Sequence, residues 1–286
     1  ADSVKPASKF SRGIRVLKQR VITAVVLTAV FVSVLFFLPA WGFQALVFAM
    51  FGVAAWECSN LTGLTHLALR GLFTAVCIAA VAVGWQLLPS LNQLMPFFTL
   101  AALWWAVALL WVQGYPASAI FWQSAVARVM IGFLTLIPAG IAVLVLHGQE
   151  HGVWLVLALL LLVAAADTGA YFSGRAFGKR KLAPNVSPGK SWEGVIGGLV
   201  LVALLAVVFG IVTGSPWYHW LAIALPAAAV SVLGDLLESM LKRHRGVKDS
   251  GSILPGHGGV LDRIDGITAA APIFALGLLA SGWSFA

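Results

Sequence analysis

Carboxylates at the ends of long apolar runs are the residues of this sequence best placed to do chemistry. Five acids stand at such positions: Asp167, Asp235, Glu238, Asp262 and Asp265. An acid next to a long apolar run is costly to bury in lipid and tends to mark a site or a pathway. Carboxylate oxygens are hard ligands that suit Mg²⁺ better than zinc. The pattern predicts either a magnesium site or ion pairs between these acids and neighbouring Lys and Arg.

Helical spacing groups these acids further. One helical face carries Asp235, Glu238, Ser239 and Lys242, because residues three and four apart lie side by side on a helix. Asp262 and Asp265 are also three apart and face together. Two helices that each present clustered carboxylates therefore predict one shared site, with Asp235, Asp262 and Glu238 as metal ligands.

A glycine-rich turn joins these two helices. It contains Lys248, Asp249 and the run Gly256-His257-Gly258-Gly259, which leads directly into the last apolar segment. Glycines before a helix leave backbone N–H groups exposed, and such a turn favours anions. The turn therefore predicts a phosphate site, in which His257 either donates to a phosphate or packs the loop.

An earlier polar segment, 167–194, also carries cations and hydroxyls. Its Gly189-Lys190-Ser191 resembles part of a P-loop, but Pro184 stands where that motif requires glycine. Nucleotide binding of the P-loop type is therefore excluded. Ser191 is expected to be the N-cap of the helix that follows, and Asp167, Lys190 and Ser191 are expected to contact a polyphosphate.

The elements that must position these residues are membrane helices. The chain is 60% hydrophobic and 10% charged, with a mean hydropathy of +0.96, whereas soluble domains are about 25% charged. Backbone groups in hydrocarbon must be paired within the segment, which favours helices. The sequence predicts an all-α polytopic membrane protein with about nine transmembrane helices, at 21–39, 41–60, 71–89, 95–113, 128–147, 152–173, 193–213, 217–239 and 260–282.

The cations predict how these helices are oriented. If the N-terminus is cytoplasmic, all 18 Lys and Arg fall in cytoplasmic loops or at the adjoining helix ends. The active site is then on the cytoplasmic side of a bacterial cytoplasmic (inner) membrane. Three regions are expected: a basic leader at 1–16, an N-terminal membrane region at 17–147 and a C-terminal catalytic region at 148–286.

The C-terminal motifs resemble a known family. SMLKR at 239–243, Lys248-Asp249 and LPGHGGVLDRID at 254–265 are similar to the signature of phosphatidate cytidylyltransferases, also called CDP-diglyceride synthases. The segments 167–178 and 187–193 also resemble that family. The similarity extends over most of the chain after residue 17, although the N-terminal third matches mainly in hydropathy.

This resemblance implies a reaction and a set of roles. Phosphatidic acid and CTP would form CDP-diacylglycerol and pyrophosphate with Mg²⁺, and K⁺ would be a second cation. The family's metal-binding aspartates carry over onto Asp235 and Asp262. The expected catalytic residues are Asp235, Asp262, Lys242, Arg243 and Asp265. The expected substrate-binding residues are Ser239, Arg263, Lys248, Asp249, His257, Gly258, Gly259, Asp167, Lys190 and Ser191. The expected partners are the two substrates, the lipid bilayer and a second copy in a homodimer, with no nucleic acid.

Two other functions are compatible with parts of this pattern. A CTP-dependent lipid kinase would transfer the γ-phosphoryl group and release CDP. An ion-coupled membrane transporter would also place acids in membrane helices, but it would place them near mid-span along a through-path. The CDP-alcohol phosphotransferase pattern is absent, because Asp265-Gly266 is followed by Ile267-Thr268-Ala269-Ala270.

Overall fold

The chain folds as a helical bundle with one small hairpin. The computed structural model describes residues 9–88, 91–254, 256 and 258–282. In chain order the elements are α1 (Lys9–Phe37), α2 (Ala40–Leu61), α3 (Leu67–Leu87), α4 (Leu91–Gln113), α5 (Ala119–Trp122), α6 (Ala125–His147), α7 (Gly152–Phe177), β1 (Lys181–Ala183), β2 (Ser187–Ser191), α8 (Trp192–Thr213), α9 (Trp217–His244) and α10 (Leu261–Ala280).

Most of these helices can cross a bilayer. In the described part of the chain, α2, α3, α4, α6, α7, α8, α9 and α10 are each long and apolar enough to span. The first helix, α1, contributes a shorter apolar stretch at 25–37. The prediction of an all-α polytopic membrane protein is confirmed, while the count of nine spans and the cytoplasmic N-terminus stay predictions.

The segment between α7 and α8 differs from the expected loop. It contains an antiparallel hairpin in which Lys181 pairs with Ser191 and Ala183 with Ser187. Pro188 and Gly189 disfavour a strand, so the sequence gives no local signal for one. Tertiary contacts form it instead: Val186 in the turn is fully buried, and β2 packs against α8 and α9.

Helices α6, α9 and α10 form the interior of the bundle, whereas α3 and α8 are mostly exposed. In lipid, helices associate by close packing of small residues rather than by a hydrophobic driving force. The buried alanines of α10 (269–271) fit this rule, and α10 packs against α9, α6 and α4. The last helix therefore contacts elements from both predicted membrane regions.

Helices α7 and α8 approach each other most closely near the hairpin. A Cβ at Gly169 would lie 2.7 Å from the Gly197 carbonyl oxygen, and one at Gly198 would lie 2.5 Å from the Ala166 carbonyl oxygen. No side chain fits there, so glycine is required for this contact. The contact sets where Asp167, on α7, stands relative to the hairpin.

Candidate active site

Acids and cations from four elements meet at one end of the bundle. This charged cluster comprises Asp167 on α7, Lys190 on β2, Asp235 on α9, and Arg263 and Asp265 on α10. Lys190 Nζ lies 2.7 Å from Asp235 Oδ2. Asp167 interacts electrostatically with Lys190, Asp235 and Arg263, and Asp265 interacts with Asp235 and Lys190. The structure thus brings together five residues that the sequence analysis selected.

A second group of charges lies deeper, between α9 and α10. Lys242 Nζ is 2.6 Å from Asp262 Oδ1 and 3.2 Å from Glu238 Oε1. Glu238 is only 5% exposed, and its carboxylate is buried against Lys242. We call Glu238, Lys242 and Asp262 the buried ion-pair group. The ion pairs that the sequence analysis considered are thus present in this group, while a metal site among the acids stays a prediction.

Asp262 also holds the glycine-rich loop. Its Oδ2 accepts hydrogen bonds from Gly259 N (2.7 Å) and from Ser250 N (3.0 Å). Asp262 lies in the first turn of α10, where a negative charge is favoured by the helix dipole. The loop therefore folds back over the start of α10, and two of its N–H groups donate to Asp262; the phosphate site in this turn stays a prediction.

Several predicted residues surround this loop. Ser239 Oγ donates to Asp235 Oδ1 at 3.1 Å, and Arg243 Nε donates to the Val186 carbonyl oxygen at 3.3 Å. Lys248, Asp249 and Arg263 are exposed to solvent. Gly258 has φ +83°, and its carbonyl oxygen accepts from Leu254 N. His257 lies outside the described residues.

The expected N-cap at Ser191 is confirmed. Its buried hydroxyl accepts from Gly194 N at 3.1 Å at the start of α8. The next acid, Glu193, accepts from the backbone N–H groups of Lys179 and Arg180. These contacts fasten the hairpin to α8, and the hairpin in turn carries Lys190 into the charged cluster.

Sequence reasoning missed a buried acid, Glu57 in α2. It is 3% exposed, and its Oε2 accepts from Leu261 N at 2.8 Å and from Ser250 Oγ at 3.3 Å. A signal was present, because Glu57 stands near the end of a predicted span, as the five selected acids do. Its distance from the C-terminal motifs, about 200 residues, hid the connection.

The donor set suits a hard divalent cation. Among the described residues, no three His, Cys, Asp or Glu side chains converge to cage a metal. Mg²⁺ usually needs no such cage, since one or two carboxylates bind it together with substrate phosphates and waters. Asp235 meets this requirement, with its side chain 37% exposed beside Lys190. Asp262 can meet it if it exchanges its bond to Lys242.

Comparison with known proteins agrees with this geometry. The model of a family described as the cytidylyltransferase family matches residues 18–280. A phosphatidate cytidylyltransferase from Pseudomonas aeruginosa is 44% identical over 93% of this chain and 98% of its own length. One from Haemophilus influenzae is 42% identical over 91% and 97%, and one from Bacillus subtilis is 34% identical over 90% and 95%. Because the match extends over nearly the whole length and includes every acid of both charge groups, this chain belongs to the cytidylyltransferase family.

Proposed function

We propose that this chain is a phosphatidate cytidylyltransferase, which converts CTP and phosphatidic acid into CDP-diacylglycerol and pyrophosphate. The similarity over nine tenths of the chain to relatives that bear this name carries the proposal. The charged ends of α7, α9 and α10 support it, because the reaction joins two anionic substrates and needs cations and acids at one place.

The chemistry follows from the charges of the two substrates. A phosphate oxygen of phosphatidic acid attacks the α-phosphorus of CTP, and a new P–O bond forms there. The bond from the α-phosphorus to the bridging oxygen breaks, and that oxygen leaves with pyrophosphate. The attacking phosphate is already anionic near neutral pH, so no strong general base is needed. Catalysis of this kind depends on positioning and charge neutralisation.

The residues divide into three roles under this proposal. Lys190, Lys242, Arg243 and Arg263 neutralise phosphates, with Lys248 at the loop entrance. Ser239, Ser191, His257 and the N–H group of Gly258 donate hydrogen bonds to phosphates, and the Gly259 N–H, which donates to Asp262 in the structure, does so after exchanging that bond. Asp167, Asp249 and Asp265 orient these cations and N–H groups. The electrostatic interaction of Asp167 with Lys190 and Arg263 supports this division.

Asp235 and Asp262 would hold Mg²⁺, with Glu238 as a further ligand. When bound, Mg²⁺ would neutralise charge on the CTP phosphates as pyrophosphate departs. Asp235 keeps an exposed side chain for this purpose. K⁺ as a second cation stays a prediction from the family resemblance.

The proposed location is a bacterial cytoplasmic membrane, with the active site facing the cytoplasm. The placement of all 18 Lys and Arg supports this orientation. CTP would arrive from water, while phosphatidic acid would keep its acyl chains in the bilayer. A homodimer is part of the same proposal on family resemblance.

The test uses purified protein in liposomes that contain phosphatidic acid, with α-labelled CTP and Mg²⁺. We expect label in the lipid phase as CDP-diacylglycerol, and we expect EDTA to abolish it. Asp262→Asn should lower the rate by at least about 100-fold, because both a metal ligand and the anchor of the loop are weakened. Glu150→Gln, in the turn at the opposite end of the bundle, is the control and should keep the wild-type rate.

Other outcomes select other functions. If all label stays in water while CDP and phospholipid appear, the chain is a CTP-dependent lipid kinase. If folded protein turns over no CTP but moves ions across the liposome membrane, the transporter is correct.

A further inference from the structure

Glu57 carries an inference about how the active site is held in place. This residue lies on α2, in the N-terminal half of the chain. Its side chain is only 3% exposed and faces the start of α10. Burying a carboxylate is costly unless charges or hydrogen bonds compensate. Among the described residues no Lys or Arg pairs with Glu57; its compensation comes from hydrogen bonds alone.

Those hydrogen bonds come from the two segments that hold Asp262. Leu261 N, which donates to Glu57 Oε2, directly precedes Asp262. Ser250 is shared by the two acids: its hydroxyl donates to Glu57 Oε2 and its backbone N–H donates to Asp262 Oδ2. A shift of Glu57 would therefore move Asp262 through two separate links.

The loop passes so close to Glu57 that it tolerates no side chain there. A Cβ at Gly251 would overlap Glu57 Oε1, and one at Gly259 would overlap Glu57 Oε2 and Ser250 Oγ. Gly259 is also the residue whose N–H donates to Asp262. The loop backbone therefore packs directly against both oxygens of the Glu57 carboxylate, at Gly251 and at Gly259.

The end of α2 that carries Glu57 is itself fastened. Arg70 Nε donates to Ser59 Oγ at 3.0 Å, and Arg70 Nη2 donates to the Trp56 carbonyl oxygen at 3.1 Å. Arg128 Nε donates to the Thr62 carbonyl oxygen at 2.8 Å. Glu57 therefore projects from a fixed turn, which is the arrangement required of a group that positions another segment.

From these contacts we infer that Glu57 is a positioning residue for the transfer reaction, which holds Asp262 and the neighbouring loop residues Ser250, Gly251 and Gly259 in their reactive arrangement. The inference rests on the proposed function, because the positioning role is defined for that transfer reaction. Glu57 acts through Ser250 and Leu261. Loss of the Glu57 contacts should lower the rate of the chemical step more than the affinity for CTP, since small misplacements near a reacting centre can cost about 100-fold in rate.

The test compares Glu57→Gln and Glu57→Leu in the labelled-CTP assay. Glutamine keeps a side-chain oxygen that accepts from Leu261 and Ser250, so kcat should stay within about threefold of wild type. Leucine has a similar volume and no acceptor, so kcat should fall at least about tenfold while the KM for CTP changes less than about threefold. Equal kcat values for the two variants, or a change in KM alone, would overturn the inference.

A matched control separates positioning from general stability. Ser118→Ala removes a buried hydroxyl that donates to the Trp111 carbonyl oxygen and contacts neither Glu57 nor the loop. It should lower the thermal unfolding midpoint without changing kcat. If Ser118→Ala and Glu57→Leu lose activity in the same proportion to their unfolding midpoints, Glu57 is merely structural.

A variant of Ser250 gives a second route if Glu57→Leu folds poorly. Ser250→Ala keeps the backbone N–H that donates to Asp262 and removes only the hydroxyl that donates to Glu57, so it should lower kcat at least about twofold while the KM for CTP changes little. An unchanged kcat in Ser250→Ala would contradict the inference. If wild-type protein makes no CDP-diacylglycerol, the proposed function fails first, and the variants are then compared in the reaction that wild type performs.

Discussion

At the scale of single residues, the site depends on buried side chains of opposite charge that stabilise one another away from water. Lys242 is 9% exposed, and its single positive charge is shared between Glu238 and Asp262. Removing one partner of a buried ion pair leaves an uncompensated charge, which costs more than the pair itself contributes. Lys242 therefore has a structural role in addition to its proposed contact with phosphate.

Lys242→Met should destabilise the fold by about 3–5 kcal/mol, because methionine fills the space but leaves two buried acids unpaired. The measurement is the thermal unfolding midpoint in detergent. Lys248→Met, at an exposed site in the same region, should change stability by less than about 0.5 kcal/mol.

Lys242→Met combined with Glu238→Gln tests the cause of that loss. Since the second change removes one of the unpaired charges, the double variant should regain part of the lost stability. A double variant less stable than Lys242→Met would contradict the electrostatic explanation.

The sequence predicted the face that Lys242 shares with Asp235 and Glu238, because helical spacing is a local property. It could not predict that Lys242 reaches across to Asp262 on the next helix, or that Glu57 supports the same loop. Contacts of this kind depend on which helices pack together. The periodicity of the sequence indicates the face of a helix but not the helix that packs against it.

At the scale of elements, the close contact of α7 with α8 determines where Asp167 stands. The hairpin follows α7 directly and ends at the N-cap of α8, so the two helices and the hairpin form one connected unit. The helices were predictable from hydropathy. The hairpin was not, because its strands are short, interrupted by proline and glycine, and stabilised by neighbouring helices.

Gly198→Ala should separate α7 from α8, because its Cβ would lie 2.5 Å from a backbone oxygen that cannot move aside. We expect a loss of about 1–3 kcal/mol in stability and a lower kcat as Asp167 shifts. Unfolding midpoints and initial rates check both.

Gly71→Ala in α3 is the matched control, since a Cβ at Gly71 meets no atom within 4 Å. It should be neutral or stabilising by up to about 1 kcal/mol, because alanine is the better helix former. If both variants behave alike, the α7–α8 contact is looser than the structure indicates.

At the scale of the whole molecule, the charges divide the bundle into two unlike ends. The charged cluster and the buried ion-pair group lie at one end, and the turn at 148–151 lies at the other. The direction of insertion remains a prediction from the placement of Lys and Arg.

Single-cysteine labelling tests that direction. Cys58 and Cys77 are free and buried, so both are first replaced by alanine. Ser252→Cys, in the exposed loop, should react with a membrane-impermeant maleimide only in inside-out vesicles, and Glu150→Cys only in right-side-out vesicles. The reverse pattern would place the active site outside the cytoplasm.

The link from Glu57 to Leu261 spans 204 residues, and this separation has a consequence for biosynthesis. Ribosomes add about 5–20 residues per second, so roughly 10–40 seconds pass between the synthesis of α2 and that of its hydrogen-bond donors. Throughout this interval the acid of α2 has no partner from the end of the chain. Until the last helix arrives and closes the site, that acid must either stay in contact with water or the insertion machinery, or be protonated.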